Sequence, residues 1–296
     1  MNYAILDIGS NTVKMSVFDS DKTLLSKYSR PTALLSFVKD QTLSGQGIAT
    51  LTETVAGFRK TAEEKHAAEV HAYATASLRG LTNTAAVIEA VKAATGVGID
   101  LVSGDYEAKL AFDGIAAVSG IDPYGDTVFD LGGGSLEIAL CQADGFYTRS
   151  YPVGALAMYL TFIQNILPTR EELQRLYTHV SALIEPTTPK HHGKALAVGG
   201  TLRALCHILA SQKGERYDEK LPYTITREEA IAFLTQAVHC NTQLKLALIS
   251  LAPKRIHTLA TGVTAFLALL DKTGQESFTV VNGGTREGYL NSLITE

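Results

Sequence analysis

Thr127–Tyr151 reads TVFDLGGGSLEIALCQADGFYTRSY. Laid without a gap over Ala4–Tyr28, AILDIGSNTVKMSVFDSDKTLLSKY, it shows the same organisation 123 residues apart. Asp7 falls on Asp130, Gly9 on Gly132 and Asp21 on Asp144. Each copy is a short apolar strand ending in Asp, followed by a turn of Gly and small residues. A second strand comes next, apolar at alternate positions: Val13, Met15 and Val17 in one copy, Leu136, Ile138 and Leu140 in the other. A polar hairpin turn then leads to a third strand. Matched turns together with matched periodicity point to a duplicated unit.

Working outward, helix and strand signals alternate. Residues 51–68 and 83–94 read as helices, 69–76 and 99–102 as strands, and 104–118 as a helix with Ser103 as N-cap. The second half has helical stretches near 170–184 and 227–236. It also has two strand–Gly-Gly–helix units, Ala195–Leu205 and Thr279–Leu290. Thr258–Leu270 is apolar but shorter than the roughly 20 residues of a membrane span, and reads as a buried helix. The expected architecture is duplicated α/β with a central cleft, the usual place for a ligand. The boundary is expected in the turn-forming Gly120–Asp126. That gives a first domain at 1–122, a second at 123–285, and a final helix at about 286–296 packing back on the first.

The chain of 296 residues is 46% hydrophobic and 19% charged, so it has ample material for a core. Its 26 basic and 30 acidic residues leave a net charge of −4, which argues against a dedicated nucleic-acid partner. Cys141, Cys206 and Cys240 are scattered and suggest neither a disulfide framework nor a zinc site. With no signal peptide or membrane span in view, a soluble cytoplasmic protein is expected. His191-His192 reads as part of a solvated loop, and His239-Cys240 has no recognisable partner.

Four turns at strand ends bear on chemistry: Asp7–Thr12 (DIGSNT), Asp130–Ser135 (DLGGGS), Gly199-Gly200-Thr201 and Gly283-Gly284-Thr285. Small residues let backbone N–H groups converge on a phosphate, and the last two turns lead into helices, whose N-termini attract anions. The plainer reading of any one turn is that its glycines merely permit tight geometry. A carboxylate ahead of each of the first two is also suited to holding a phosphate-bound cation.

In this order the turns resemble those of the actin/Hsp70/sugar kinase superfamily, and within it the Ppx/GppA phosphatases, which comprise exopolyphosphatases and guanosine pentaphosphate phosphohydrolases. The segments carrying the resemblance are Asp7–Thr12, Ala74–Arg79 (ATASLR), Val102–Leu110 (VSGDYEAKL), Asp130–Glu137 (DLGGGSLE), Val153-Gly154-Ala155, Gly199–Arg203 (GGTLR) and Arg286-Glu287-Gly288. The resemblance implies duplicated ribonuclease H-like domains, with Mg²⁺-assisted release of terminal phosphate from polyphosphate or a phosphorylated guanine nucleotide. It implies Glu107 as the group that activates water and Glu137 as a second acidic group beside it. Asp7 and Asp130 are implied as metal-associated residues. Ser10, Asn11, Thr12, Arg79, Gly132, Gly133, Gly134, Ser135, Gly200 and Thr201 are implied as phosphate-binding, and a homodimer is implied as the assembly. Plainer alternatives exist: Glu107 complementing a helix dipole, Glu137 on a solvated strand face, Arg79 in an exposed loop. Arg255 and Arg286 are weaker candidates.

Two departures stand out. Lys109 replaces the family's usual Arg, and Leu136 stands where Thr is common. Larger members carry an additional helical C-terminal region, so this shorter chain is expected to hold the two core domains and to act on shorter substrates or less processively. Two other readings share these residues: a small-molecule kinase of the same superfamily, and a non-catalytic phosphate or nucleotide sensor.

Overall fold

Strands β1 (Asn2–Ile8) and β2 (Thr12–Phe18) form an antiparallel hairpin with Asp7 directly opposite Lys14. Strands β8 (Thr127–Leu131) and β9 (Leu136–Gln142) repeat it with Asp130 directly opposite Glu137. The computed structural model describes residues 1–142, 145–185, 193–239 and 242–294. Asp144, His191, His192 and Cys240 lie outside the described residues.

In the first sheet β3 (Leu24–Pro31), β6 (Ala67–Ala74) and β7 (Ile99–Leu101) join the hairpin in the order β3-β2-β1-β6-β7. The first three strands are antiparallel and the last two parallel to β1. A small two-stranded ribbon, β4 (Val38–Lys39) and β5 (Thr42–Leu43), precedes α1 (Gly45–Glu64). Ala4, Leu6, Ile8, Val13, Met15 and Val17 pack together with buried side chains of α1 and α2 (Thr84–Thr95). Alternation along a strand therefore turns Asp7 and Lys14 to the opposite face. Helix α1 starts earlier than its apolar spacing suggests, because the Ser44 side chain caps it by accepting from Gly47 N–H. It ends before Lys65-His66, where His66 takes a left-handed φ of 56°.

The second sheet repeats that order and adds a strand. β10 (Gly145–Tyr151), β9, β8, β11 (Ala195–Val198) and β13 (Ser277–Val280) follow the pattern of the first, and β12 (Tyr223–Thr226) pairs antiparallel at the edge. This is a duplicated ribonuclease H-like α/β fold. Leu136, Ile138 and Leu140 join a core with residues of α4 (Ala155–Phe162), α5 (Arg170–Leu183), α6 (Gly200–Gln212), α7 (Arg227–His239), α8 (Thr242–Leu251) and α9 (Leu259–Thr273). The apolar run expected as a buried helix is α9, which packs in this core. On the sheet's other face Val128, Ala139, Leu196 and Val198 pack against Ala108, Ala111, Phe112 and Ile115 of α3 (Gly104–Ser119).

The chain divides into two compact units, Met1–Glu107 with Tyr289–Glu296, and Ala108–Gly288. The division falls inside α3 and again inside α10 (Thr285–Leu293), whereas the turn-forming composition of 120–126 suggested a boundary there. The physical reason is that the later turns of α3 belong to the second unit's core. The 120–126 loop is tied down too, because the Asp126 carboxylate accepts from Asp122 N–H and Lys194 N–H, each at 3.0 Å. In the first unit the Tyr289 ring packs at a tilt against Tyr73, with centroids 4.6 Å apart, and its hydroxyl donates to Asp100. No described helix is long and apolar enough to cross a membrane.

Candidate active site

In the first unit Asp7 projects from the end of β1 and meets the Lys14 ammonium at 3.4 Å. The following turn is held by its carbonyls. Asn11 O accepts from Thr32 and Ala33 N–H, and Ser10 O from Leu35 N–H. Ser10 and Asn11 are buried, and the Ser10 hydroxyl has no hydrogen-bond partner among the described residues. Thr12 begins β2.

Glu107 lies in the first turn of α3, which Ser103 opens by accepting from Tyr106 N–H at 3.2 Å. The Glu107 carboxylate is 7% exposed and receives Arg79 Nη1 at 3.0 Å, while the same nitrogen reaches Val102 O at 3.3 Å. Arg79 is therefore no exposed loop arginine. Glu107 does more than complement a helix dipole, because burial with a guanidinium fixes where its oxygens point.

In the second unit Asp130 and Glu137 share the face that carries Val128 and Ala139. Glu137 is 1% exposed, which rules out the solvated-face alternative. Its Oε1 accepts from the Ser150 hydroxyl at 2.6 Å, and Asp130 Oδ2 accepts from the Thr285 hydroxyl at 2.9 Å. Leu136 is buried in the core on the other face, and Lys109 pairs with Asp113 at 2.6 Å one helical turn on. Neither departure from the family pattern therefore disturbs the Asp130–Glu137 face.

The Gly132–Ser135 turn closes through Gly132 N–H to Ser135 O at 3.0 Å. Its carbonyls accept the first N–H groups of α4: Gly132 O from Ala155, Gly133 O from Leu156 and Ala157, and Gly134 O from Gly154. A Cβ at Gly154 would lie 2.4 Å from Ser135 N and 2.5 Å from the Gly133 and Gly134 carbonyl carbons. This accounts for the Val153-Gly154-Ala155 segment: the helix start must approach the turn without a side chain.

Gly200 and Thr201 open α6. Facing them is Arg255, in a single 3-10 turn (Pro253–Arg255), and a Cβ at Gly200 would sit 2.5 Å from its Nη2. Burial lowers the Arg255 pKa, and its guanidinium has no ion pair among the described residues. Thr201 Oγ1 is likewise buried without a partner there. A helix N-terminus, an uncompensated guanidinium and a spare hydroxyl together form an anion-seeking corner. Its sequence signal is slight, a lone basic pair ahead of the α9 apolar run. Arg286 lies in the first turn of α10.

Among the described residues no three His, Cys, Asp or Glu gather as a metal cage. Two carboxylates facing each other across a strand pair repel, and they fit an ion such as Mg²⁺, which takes one or two carboxylates and keeps several waters. Asp7, with an ammonium at 3.4 Å, suits a cation less well.

A model of the family described as the Ppx/GppA phosphatase family matches residues 18–296 of the chain. The crystal structure of an exopolyphosphatase from Cytophaga hutchinsonii superposes with a TM-score of 0.87 at 17% identity, covering 99% of this chain and 97% of that one. That of the Aquifex aeolicus member of the Ppx/GppA family superposes with a TM-score of 0.77 at 23% identity, with the same coverage. At such identities the likeness to these structures is one of fold. The Asp7–Thr12 turn precedes the family-matched span.

Proposed function

The chain belongs to the Ppx/GppA phosphatase family and is a phosphoanhydride hydrolase, and from that premise we propose that it removes the terminal phosphate of inorganic polyphosphate or guanosine pentaphosphate with Mg²⁺ as cofactor. The observation that carries this reading is the carboxylate pair of half-buried Asp130 and buried Glu137, each member fixed by a hydroxyl, in a unit that also offers an anion-seeking corner at Gly200, Thr201 and Arg255.

Glu107 is the group assigned to the attacking water. The water oxygen forms the new bond to the terminal phosphorus, its proton passes to the Glu107 carboxylate, and the bridging P–O bond breaks. The products are inorganic phosphate and a chain shorter by one. Arg79 orients Glu107 through the 3.0 Å contact and belongs with the phosphate-binding groups. The small-residue turns at 9–12 and 132–135, with Gly200 and Thr201, supply N–H and hydroxyl donors for phosphate oxygens. Asp130 and Glu137 would hold Mg²⁺, which supplies charge neutralisation on the transferred group when bound; Asp7, the other metal-associated expectation, is assigned instead to holding Lys14 at the first turn. A cytoplasmic homodimer completes the reading, with the assembly open to sedimentation analysis.

The test is phosphate release with Mg²⁺ from short polyphosphate, long polyphosphate and guanosine pentaphosphate in parallel. Faster release from short chains is expected. Release from the nucleotide alone would reassign the substrate. Acceptor-dependent ADP formation without release from any of the three would overturn the hydrolase reading in favour of a kinase.

A further inference from the structure

Gly283-Gly284-Thr285 is a small-residue turn opening a helix, and by sequence it belongs with the phosphate turns. Its surroundings give it different work. Gly283 and Gly284 hold φ of 88° and 144°, and the space beside Gly283 is filled with protein backbone. A Cβ at Gly283 would lie 2.3 Å from Gly114 O, one at Gly114 would lie 1.9 Å from Gly284 O, and one at Gly288 would lie 1.9 Å from Leu110 O. Three glycines thus press the first turn of α10 against α3, leaving its backbone little freedom to shift.

Thr285 stands in that clamped turn, 8% exposed. Its hydroxyl donates at 2.9 Å to the carboxylate of Asp130, 155 residues earlier in the chain, and no local backbone group is its partner in this bond. A carboxylate rotates in a broad torsional well, whereas a β-branched side chain has few χ1 choices. A hydroxyl on a fixed helix turn therefore sets the plane of the Asp130 carboxylate. Across the strand pair, Ser150, directly opposite Glu137 in β10, does the same for Glu137 at 2.6 Å.

We infer that Thr285 is a positioning residue. Its hydroxyl holds the Asp130 carboxylate in the orientation that receives a divalent cation, with Ser150 as the matching group for Glu137. The inference rests on the proposed assignment of the cation to this pair. Groups that orient a metal's ligands typically carry about 10–100-fold in affinity or activity.

The experiment measures Mg²⁺ and Mn²⁺ binding to the whole chain by calorimetry without substrate, alongside kcat, KM and the half-saturating Mg²⁺ concentration. Thr285→Val keeps the shape and loses the hydroxyl, and is expected to weaken cation binding about 10–100-fold and raise half-saturating Mg²⁺ in parallel. Thr285→Ser is expected to restore both to within a few-fold of the unaltered chain, and Ser150→Ala to reproduce the loss. If Thr285→Val does not fold, judged by circular dichroism, Thr285→Ala serves against Thr285→Ser. Cation affinity unchanged in the hydroxyl-less variant of a chain that releases phosphate overturns the positioning role alone. Cation affinity lost in that variant of a chain that releases no phosphate upholds it and sinks the hydrolase reading. No cation binding by the unaltered chain overturns the inference outright.

Discussion

The two Asp-bearing hairpins superimpose in sequence and in register, yet they carry opposite charges at one position. Opposite Asp7 stands Lys14, and opposite Asp130 stands Glu137. Both turns are held alike, their carbonyls taken up by N–H groups about twenty residues on: Thr32, Ala33 and Leu35 in the first unit, Gly154 to Ala157 in the second. The scaffold was duplicated and the electrostatics diverged. In the first hairpin an internal cation meets the carboxylate at 3.4 Å. In the second, two acids face one another, which disfavours the bare pair and favours an added cation. Such a pair is a poor choice for stability and a good one for a site.

The largest expected effect tests whether the carboxylates of the two units differ in role. Glu137→Gln and Glu107→Gln should each lower kcat for phosphate release by about 10²–10⁴-fold. Only Glu137→Gln should also weaken cation binding measured by calorimetry. Equal cation affinities in the two variants would break the distinction.

A smaller effect tests the shared way of holding the turns. Gly154→Ala drives a Cβ into backbone 2.4–2.5 Å away, and about 1–3 kcal/mol should be lost in urea unfolding. Pro31, at the corresponding place 123 residues earlier, is exposed, and Pro31→Ala should cost no more than about 0.4–1 kcal/mol, through the unfolded chain.

Lys14→Glu rebuilds the second hairpin's acid pair in the first. It should cost about 0.2–1 kcal/mol without cation, read from the urea midpoint. Added Mg²⁺ should recover part of that loss if the carboxylate pair alone is what attracts the ion.

The smallest effect concerns His257, which packs edge-on against Tyr159 with centroids 5.0 Å apart. Burial first, and then the neighbouring Arg255 charge, hold its pKa below the ordinary 6.5. Below that pH the unfolded chain binds the proton more readily than the folded one, so stability falls as pH drops through the window beneath 6.5. Urea midpoints at about pH 7.5 and about pH 5.5 should separate less in His257→Asn than in the unaltered chain. An equal separation would assign the pH dependence to other groups.

The hairpins, their Asp residues and the Gly-Gly turns were legible because period-two alternation and small-residue turns are local properties. The α9 core helix announced itself by a largely apolar run, Leu259–Leu270, punctuated by Thr and Gly. Glu107 could be placed in a first helical turn, but its ion pair with Arg79, 28 residues away, could not be read from spacing. The start of α1 was obscured because Gly45 and Gly47 mask a helix capped by Ser44.

Sequence alone determined the duplicated α/β order and the two Asp-turn-strand units, since alternation and small-residue turns are local properties. Only the tertiary structure decided that Glu137 is buried, that Arg255 lies against Gly200, and that Thr285 serves Asp130 while its glycines serve helix packing. These depend on segments that meet only when the unit folds, as Thr285 and Asp130 do across 155 residues. Composition and periodicity describe a face, whereas the partner that arrives at it is set by the packing of the whole unit.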